Sequence, residues 1–292
     1  MISWPSVLGG LLLALSPSQT DASLQTAHLQ FDTGKYSEAA RTLRTALSQA
    51  PQDARLHYWL ARCYYELGDF DNSVNSAERA VGIDPPNSEY HLWLGRAYGG
   101  KAEKAHSFSL ARKVRREFEE AVRLNPSNVT ARRDLIEFYV EAPWIVGGDK
   151  DKARRQAEAI LALDAVEGHL AMAAYWLSEK KPDRAESEYL QAVDLKPTRP
   201  EPYWEFADFY QKRNQADRME QVVERAARVN PSDPRLAYYR GVVRVLAGNR
   251  LTEAEKFLKT YLETFPRSDF PSQAAAREWL GRLYERQGRR ND

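Results

Sequence analysis

Disulfides and thiolate-rich metal sites are excluded at once, because Cys63 is the only cysteine in 292 residues. A lone cysteine inside a helical pattern reads as a small buried hydrophobe. Charge of one sign is also lacking: 42 Lys and Arg against 41 Asp and Glu leave a formal charge of +1. The basic stripe that a general nucleic-acid binder needs is therefore not expected. The apolar run near the N-terminus, Val7 to Leu15, falls short of the ~20 residues of a spanning helix, so no stable membrane span is expected. Catalytic signatures are missing too. Gly147-Gly148-Asp149-Lys150 has neither the Gly-Lys-Ser/Thr ending nor the preceding strand of a phosphate loop. No Ser-His-Asp order, zinc-protease helix motif or pair of metal carboxylates stands out. Neither cofactor nor metal is expected, and the chain reads as non-enzymatic.

The apolar run leads into Ser16-Pro17-Ser18-Gln19-Thr20-Asp21-Ala22. That order matches the core of a secretory signal with a small-residue exit at Thr20-x-Ala22, although no Lys or Arg precedes it. Residues 1–19 are expected to be an export signal, its exit extending to 22, and residues 20–292 a single domain. An exported, periplasmic protein follows, or a cytoplasmic one if the segment is only a hydrophobic start.

What the chain does have is repetition. A small residue, another seven positions on, and a proline five further on recur through the sequence. Ala39, Ala46 and Pro51 set the pattern, and Ser73, Ala80 and Pro85 repeat it. It returns at Val114, Ala121, Pro126, degrades at Ala153, Ile160, Ala165, and recovers at Ala185, Ala192, Pro197. Met219, Ala226, Pro231 and Ala254, Tyr261, Pro266 complete seven copies. A period near 34 residues marks a two-helix solenoid unit. In the second copy Leu60, Ala61 and Tyr64 share one helical face. Gly68 supplies a helix stop, and Asp84-Pro85-Pro86-Asn87 breaks the second helix. Ala61, Gly95, Ala173, Ala207, Gly241 and Gly281 occupy one register, where crossing helices need small residues.

These motifs resemble the tetratricopeptide repeat family. Leu94-Gly95-x-x-Tyr98, Met172-Ala173-x-x-Trp176, Phe206-Ala207-x-x-Tyr210 and Leu280-Gly281-x-x-Tyr284 carry the likeness through the chain. The resemblance implies an all-α fold: a right-handed α-solenoid of about seven stacked helix-turn-helix repeats, closed by a C-terminal capping helix. It also implies a non-catalytic scaffold or adaptor whose concave groove takes a peptide or protein partner. The subclass that grips a chaperone tail uses Lys and Asn at inner positions where this chain has Arg55, Trp59 and Trp93.

First helices line the inner surface of such a stack, and i, i+4, i+7 spacing points side chains inward. That register selects Arg55, Trp59 and Arg62, then Trp93 and Arg96, as an Arg/Trp half suited to an acidic segment or a terminal carboxylate. Asp134, Glu137, Glu205 and Asp208 form an acidic centre suited to basic residues, with Tyr239 beyond it. Alternatively, Trp59 and Trp93 wedge between first helices while Arg62 and Arg96 pair with neighbouring glutamates. Residues 99–112 and 142–149 exceed the repeat length. They are read either as loops on a working edge, with Trp144 as the candidate anchor, or as longer helices and packed turns. Two other roles use these features: an accessory subunit or hydrolase built on the inserted loops, or a self-assembling solenoid with Trp279 and Leu280 at an exposed end. His57, His91 and His169 are placed at the fourth position of their first helices. Equivalent positions in neighbouring copies lie ~8–10 Å apart, too far to share a zinc with bonds of ~2.0–2.1 Å, so a packing role is expected.

Overall fold

A computed structural model describes residues 17–264 and 270–289. The apolar run 7–15 lies outside them, whereas Thr20, Asp21 and Ala22 stand inside the first helix. The described residues form fifteen α-helices and one 3-10 turn, with no strand. The chain divides into two compact units at Leu110/Ala111. The first contains α1 (Pro17–Asp32), α2 (Tyr36–Leu47), α3 (Ala54–Glu66), α4 (Phe70–Ile83) and α5 (Ser88–Ala105). The boundary falls early in α6 (Phe108–Leu124). The second contains the rest of α6, α7 (Val129–Glu141), α8 (Lys150–Leu161), α9 (Ala165–Ser178) and α10 (Pro182–Asp194). It continues with α11 (Glu201–Lys212), α12 (Ala216–Val229), α13 (Arg235–Ala247), α14 (Leu251–Leu262) and the unpaired α15 (Gln273–Arg286).

Local chemistry sets the helix ends. Asp53, Asp69, Asn87, Asn128, Asp149, Asp164 and Ser272 each accept a backbone N–H from the first turn of the helix that follows, satisfying a donor the helix itself leaves open. Gly68 closes α3 in the left-handed region at φ 71°, where a Cβ is disfavoured. A further lock recurs at each entry to a first helix in three successive copies. Four residues after the N-cap, a side chain donates to the carbonyl of the proline two residues before it. His57 reaches Pro51 at 3.0 Å, His91 reaches Pro85 at 3.0 Å, and Arg132 Nε reaches Pro126 at 2.8 Å. His57 and His91 therefore pin turns. His169 does not belong with them: it is the fifth residue of α9, and its Nδ1 lies 2.7 Å from Glu188 Oε2.

In the first unit α1 to α5 pack each on the next and α3 also touches α5; in the second α7 to α15 do the same, and α7, α9, α11, α13 and α15 touch in succession. Small residues make this possible. Ala39, Ala80, Ala121, Ala153, Ala185, Ala226 and Ala254 are completely buried, and a Cβ at Gly241 would come within 2.7 Å of Leu258 Cγ on α14. Gly281 departs from the expected register role, since a Cβ there would meet only open space: among the described residues no helix follows α15. Ala207, one period before Gly241, is fully buried between α11 and its neighbours. Ala207→Leu should overpack that crossing and cost about 2 kcal/mol. Chemical denaturation measures this, and an unchanged midpoint would remove the steric argument for the register.

The extra residues of the third copy are not a loop. α5 and α6 run 18 and 17 residues and are joined only at His106-Ser107. Gly99-Gly100 lies inside α5, where a Cβ at Gly100 would collide with the Phe70 ring on α4. In the fourth copy the extra residues do form a connection, built around the 3-10 turn Trp144–Val146.

Candidate binding faces of the two units

In the first unit, α1, α3 and α5 bring their aromatic side chains together. Trp59 lies against His28 with ring centroids 3.9 Å apart and meets Phe31 edge-on at 5.5 Å. Trp93 is buried and meets Tyr58 and Tyr65 edge-on. Both tryptophans thus wedge between first helices. The Arg62 guanidinium stands among four rings, 4.0 Å from Trp59, 4.7 Å from Trp93, 4.9 Å from Phe31 and 5.6 Å from Tyr58. Its Nη1 reaches only the Tyr58 hydroxyl, at 3.4 Å, and its buried Nε has no partner. Among the described residues no carboxylate pairs with it, so the glutamate partner considered for Arg62 is not what holds it. Arg96 lies 4.8 Å over Trp93.

Beside this cage is a hollow of about 500 Å³, walled by Leu24, His28, Tyr58, Trp59 and Tyr90, with Asn87 and Glu89 at its rim. Arg55 also borders it, but its guanidinium is held by Asp53 at 2.7 Å and Asp21 at 2.8 Å. Burial lowers the His28 imidazole below its ordinary value, and Arg62 pushes the same way against Asp32. The hollow is thus lined by an imidazole and aromatic faces, with Asp21, Arg55, Asn87 and Glu89 also bordering it. Inward register found Trp59 and Arg62. It missed His28 and Tyr58, whose aromatic character next to Trp59 was the available signal.

In the second unit the expected acidic centre is largely engaged by the protein itself. Arg133, which lies off the inward register, donates to Glu167 at 2.6 Å and to both oxygens of Glu205 at 2.9 Å. Arg199 grips the other oxygen of Glu167. Burial alone would raise the Glu167 carboxyl, but the two guanidiniums outweigh it and hold it below its usual range. Asp208 accepts a hydrogen bond from Tyr239 at 2.9 Å, and burial still pushes its carboxyl up to about 6. Tyr239 is buried and stacks on Trp204, with ring centroids 4.7 Å apart and planes 1° from parallel. Asp134 and Glu137 border a separate hollow of about 540 Å³ floored by Ile136, Val140, Ala171 and Leu177.

Trp144 stands out from the α7–α8 connection with 84% of its surface exposed. Among the described residues no three His, Cys, Asp or Glu side chains gather as a metal site would require. Trp279 and Leu280 are buried on α15, so the exposed apolar end imagined for self-assembly is not formed by them.

The family description for the tetratricopeptide repeat matches residues 24–88 and 206–269. Solved structures share the fold. A tetratricopeptide repeat protein from Parabacteroides merdae is 16% identical with a TM-score of 0.58, covering 91% of this chain and 99% of its own. TTC0263, a thermophilic TPR protein of Thermus thermophilus, is 23% identical with a TM-score of 0.55, covering 65% and 98%. No curated protein sequence matches the chain.

Proposed function

We propose that this chain, a tetratricopeptide repeat protein, is a non-catalytic scaffold that seats a peptide segment of a protein partner on the inner face of its first unit. Repeats of this kind generally mediate protein–protein interaction, through the extended surfaces that stacking creates. The observation behind the choice of face is Arg62. A guanidinium enclosed by four rings with no carboxylate leaves a buried donor open, which native proteins seldom tolerate without a purpose. The adjoining hollow offers aromatic walls for an apolar side chain. A segment carrying a large apolar residue next to an aspartate, a glutamate or a chain terminus would fill the hollow and answer the Arg62 charge. The second unit is a weaker seat for a basic segment, because Arg133 and Tyr239 already occupy Glu205 and Asp208.

Peptide display against the full chain tests this. Selected peptides should share an apolar residue beside a carboxylate, and their affinity should fall about tenfold in Arg62→Gln, the loss of one charge-assisted contact. Arg62→Gln keeps much of the side-chain volume, and a circular-dichroism melt separates lost binding from lost fold. Selected peptides without a carboxylate, or affinity indifferent to Arg62, would refute the reading.

A further inference from the structure

The connection between α7 and α8 is built to hold an apolar tip away from the protein. Gly147 donates to Trp144 O at 3.0 Å, Gly148 to Pro143 O at 3.2 Å, and Asp149 to Tyr139 O at 2.9 Å. Val146 is buried beneath, and a Cβ at Gly148 would collide with the Ala142 carbonyl. Gly147 takes φ 109°, and the Arg115 guanidinium lies against it where any side chain would stand. This fixed base lifts Trp144 and Ile145, 84% and 51% exposed, into solvent. A loop held so firmly with a tryptophan at its tip is not filling a core.

The surroundings are positive. Segments 112–116 and 150–155, one on α6 and one on α8, hold eight Lys and Arg and one carboxylate, Asp151; four of the eight are paired, Arg115 with Glu119, Arg116 with Glu117, Lys150 with Glu179 and Arg154 with Glu158. Arg115 ties the first segment to the base of the tip, and Asp149, the cap of α8, joins the second to it. Arg112 and Arg155 are exposed and form no ion pair among the described residues, whereas the exposed Arg116 and Arg154 keep their glutamates at 2.8 Å and 3.8 Å. Glu141 and Asp149 also border the tip, but Asp149 spends its side chain on the Lys152 N–H at 3.0 Å.

We propose that this tip and its basic collar form a docking surface for an anionic lipid membrane, with Trp144 and Ile145 entering the headgroup layer and the arginines meeting lipid phosphates. A projecting tip, in contrast to a groove, fits a fluid planar partner. Tryptophan favours the interfacial region because its ring is apolar and its N–H polar. Basic side chains add attraction that depends on lipid charge. Attachment would be peripheral, as no helix among the described residues is long and apolar enough to cross a membrane. The surface belongs to the second unit and the peptide seat to the first.

Sedimentation of the full chain with vesicles tests the assignment. The chain should pellet with vesicles of equal parts phosphatidylcholine and phosphatidylglycerol, and not with phosphatidylcholine alone. Trp144→Ala should weaken binding about tenfold, in line with the loss of one interfacial aromatic anchor. Arg154→Glu with Arg155→Glu should remove the preference for the anionic lipid. Trp144 is exposed, so its melting curve should match the parent, and the Ile145→Ser variant provides a second probe of the tip. Equal binding to both vesicles, no binding to either, or full binding by Trp144→Ala would overturn the proposal. So would binding to heparin, indifferent to Trp144, in a chain that ignores vesicles.

Discussion

Asp208→Asn should raise the melting temperature at neutral pH, and the gain should vanish in acid. Asp208 is an inward residue of α11 whose carboxyl is pushed up to about 6 by burial, with Lys212 and the Tyr239 hydroxyl failing to compensate. A group that binds its proton more tightly folded than unfolded stabilises the fold at low pH and loses that contribution as pH rises. The unfolded chain titrates near 3.9. Stability should therefore fall between about pH 4 and pH 6, with the full penalty present above that window. The penalty is at most about 3 kcal/mol, taking ~1.4 kcal/mol for each unit between the two values. Asparagine keeps the acceptor for Tyr239 without the charge. Its variant should melt up to about 5–10 °C higher at pH 7.5 and alongside the parent at pH 4. Calorimetry at both pH values decides the matter, since an equal gain at pH 4 would assign the effect to packing and not to charge.

Arg133 should carry the opposite sign. Its guanidinium joins Glu167 on α9 to Glu205 on α11, spanning three successive first helices from α7. Glu167 is mostly buried, with a side chain 10% exposed. Arg133→Met leaves Glu205 unpaired and Glu167 with Arg199 alone. A cost of about 3 kcal/mol is expected, the lower end for breaking a desolvated pair by removing one partner. Adding Glu167→Gln and Glu205→Gln to Arg133→Met should recover much of that loss, because no carboxylate is left stranded and Arg199, 45% exposed, can turn to solvent. Urea unfolding of the single and triple variants makes the comparison. If the triple variant is less stable than the single one, these side chains act through hydrogen bonds and not through charge.

The helices were legible because their signals are local. Asp53, Asn87 and Asn128 sit where a cap must be, Gly68 where the chain must turn left-handed, and the alanines where helices cross. Gly99-Gly100 left both readings of 99–112 open for a physical reason: glycine suits a loop but also serves a tight helix crossing, and here Phe70 needs the missing Cβ at Gly100. The inner faces were legible as positions and not as charges. Inward register located Arg62 and Asp208, yet whether a charge is spent depends on a partner one repeat away. That information was present in an unexpected form. Asp21 with Arg55, Arg133 with Glu167, Glu201 with Arg235 and Glu255 with Arg289 each lie 34 residues apart and each form an ion pair. Opposite charges at the same place in adjacent copies face one another because the copies stack. Arg133 escaped because its second partner, Glu205, lies beyond the adjacent copy, 72 residues away.

Cys63 has a practical bearing. It is wholly buried, and burial pushes its thiol up to about 12, so almost none of it is the reactive thiolate at neutral pH. A maleimide dye should pass it by. The native chain thus provides a silent background for single-site fluorophore attachment: Ile145→Cys would place one reporter at the tip without removing any natural residue elsewhere.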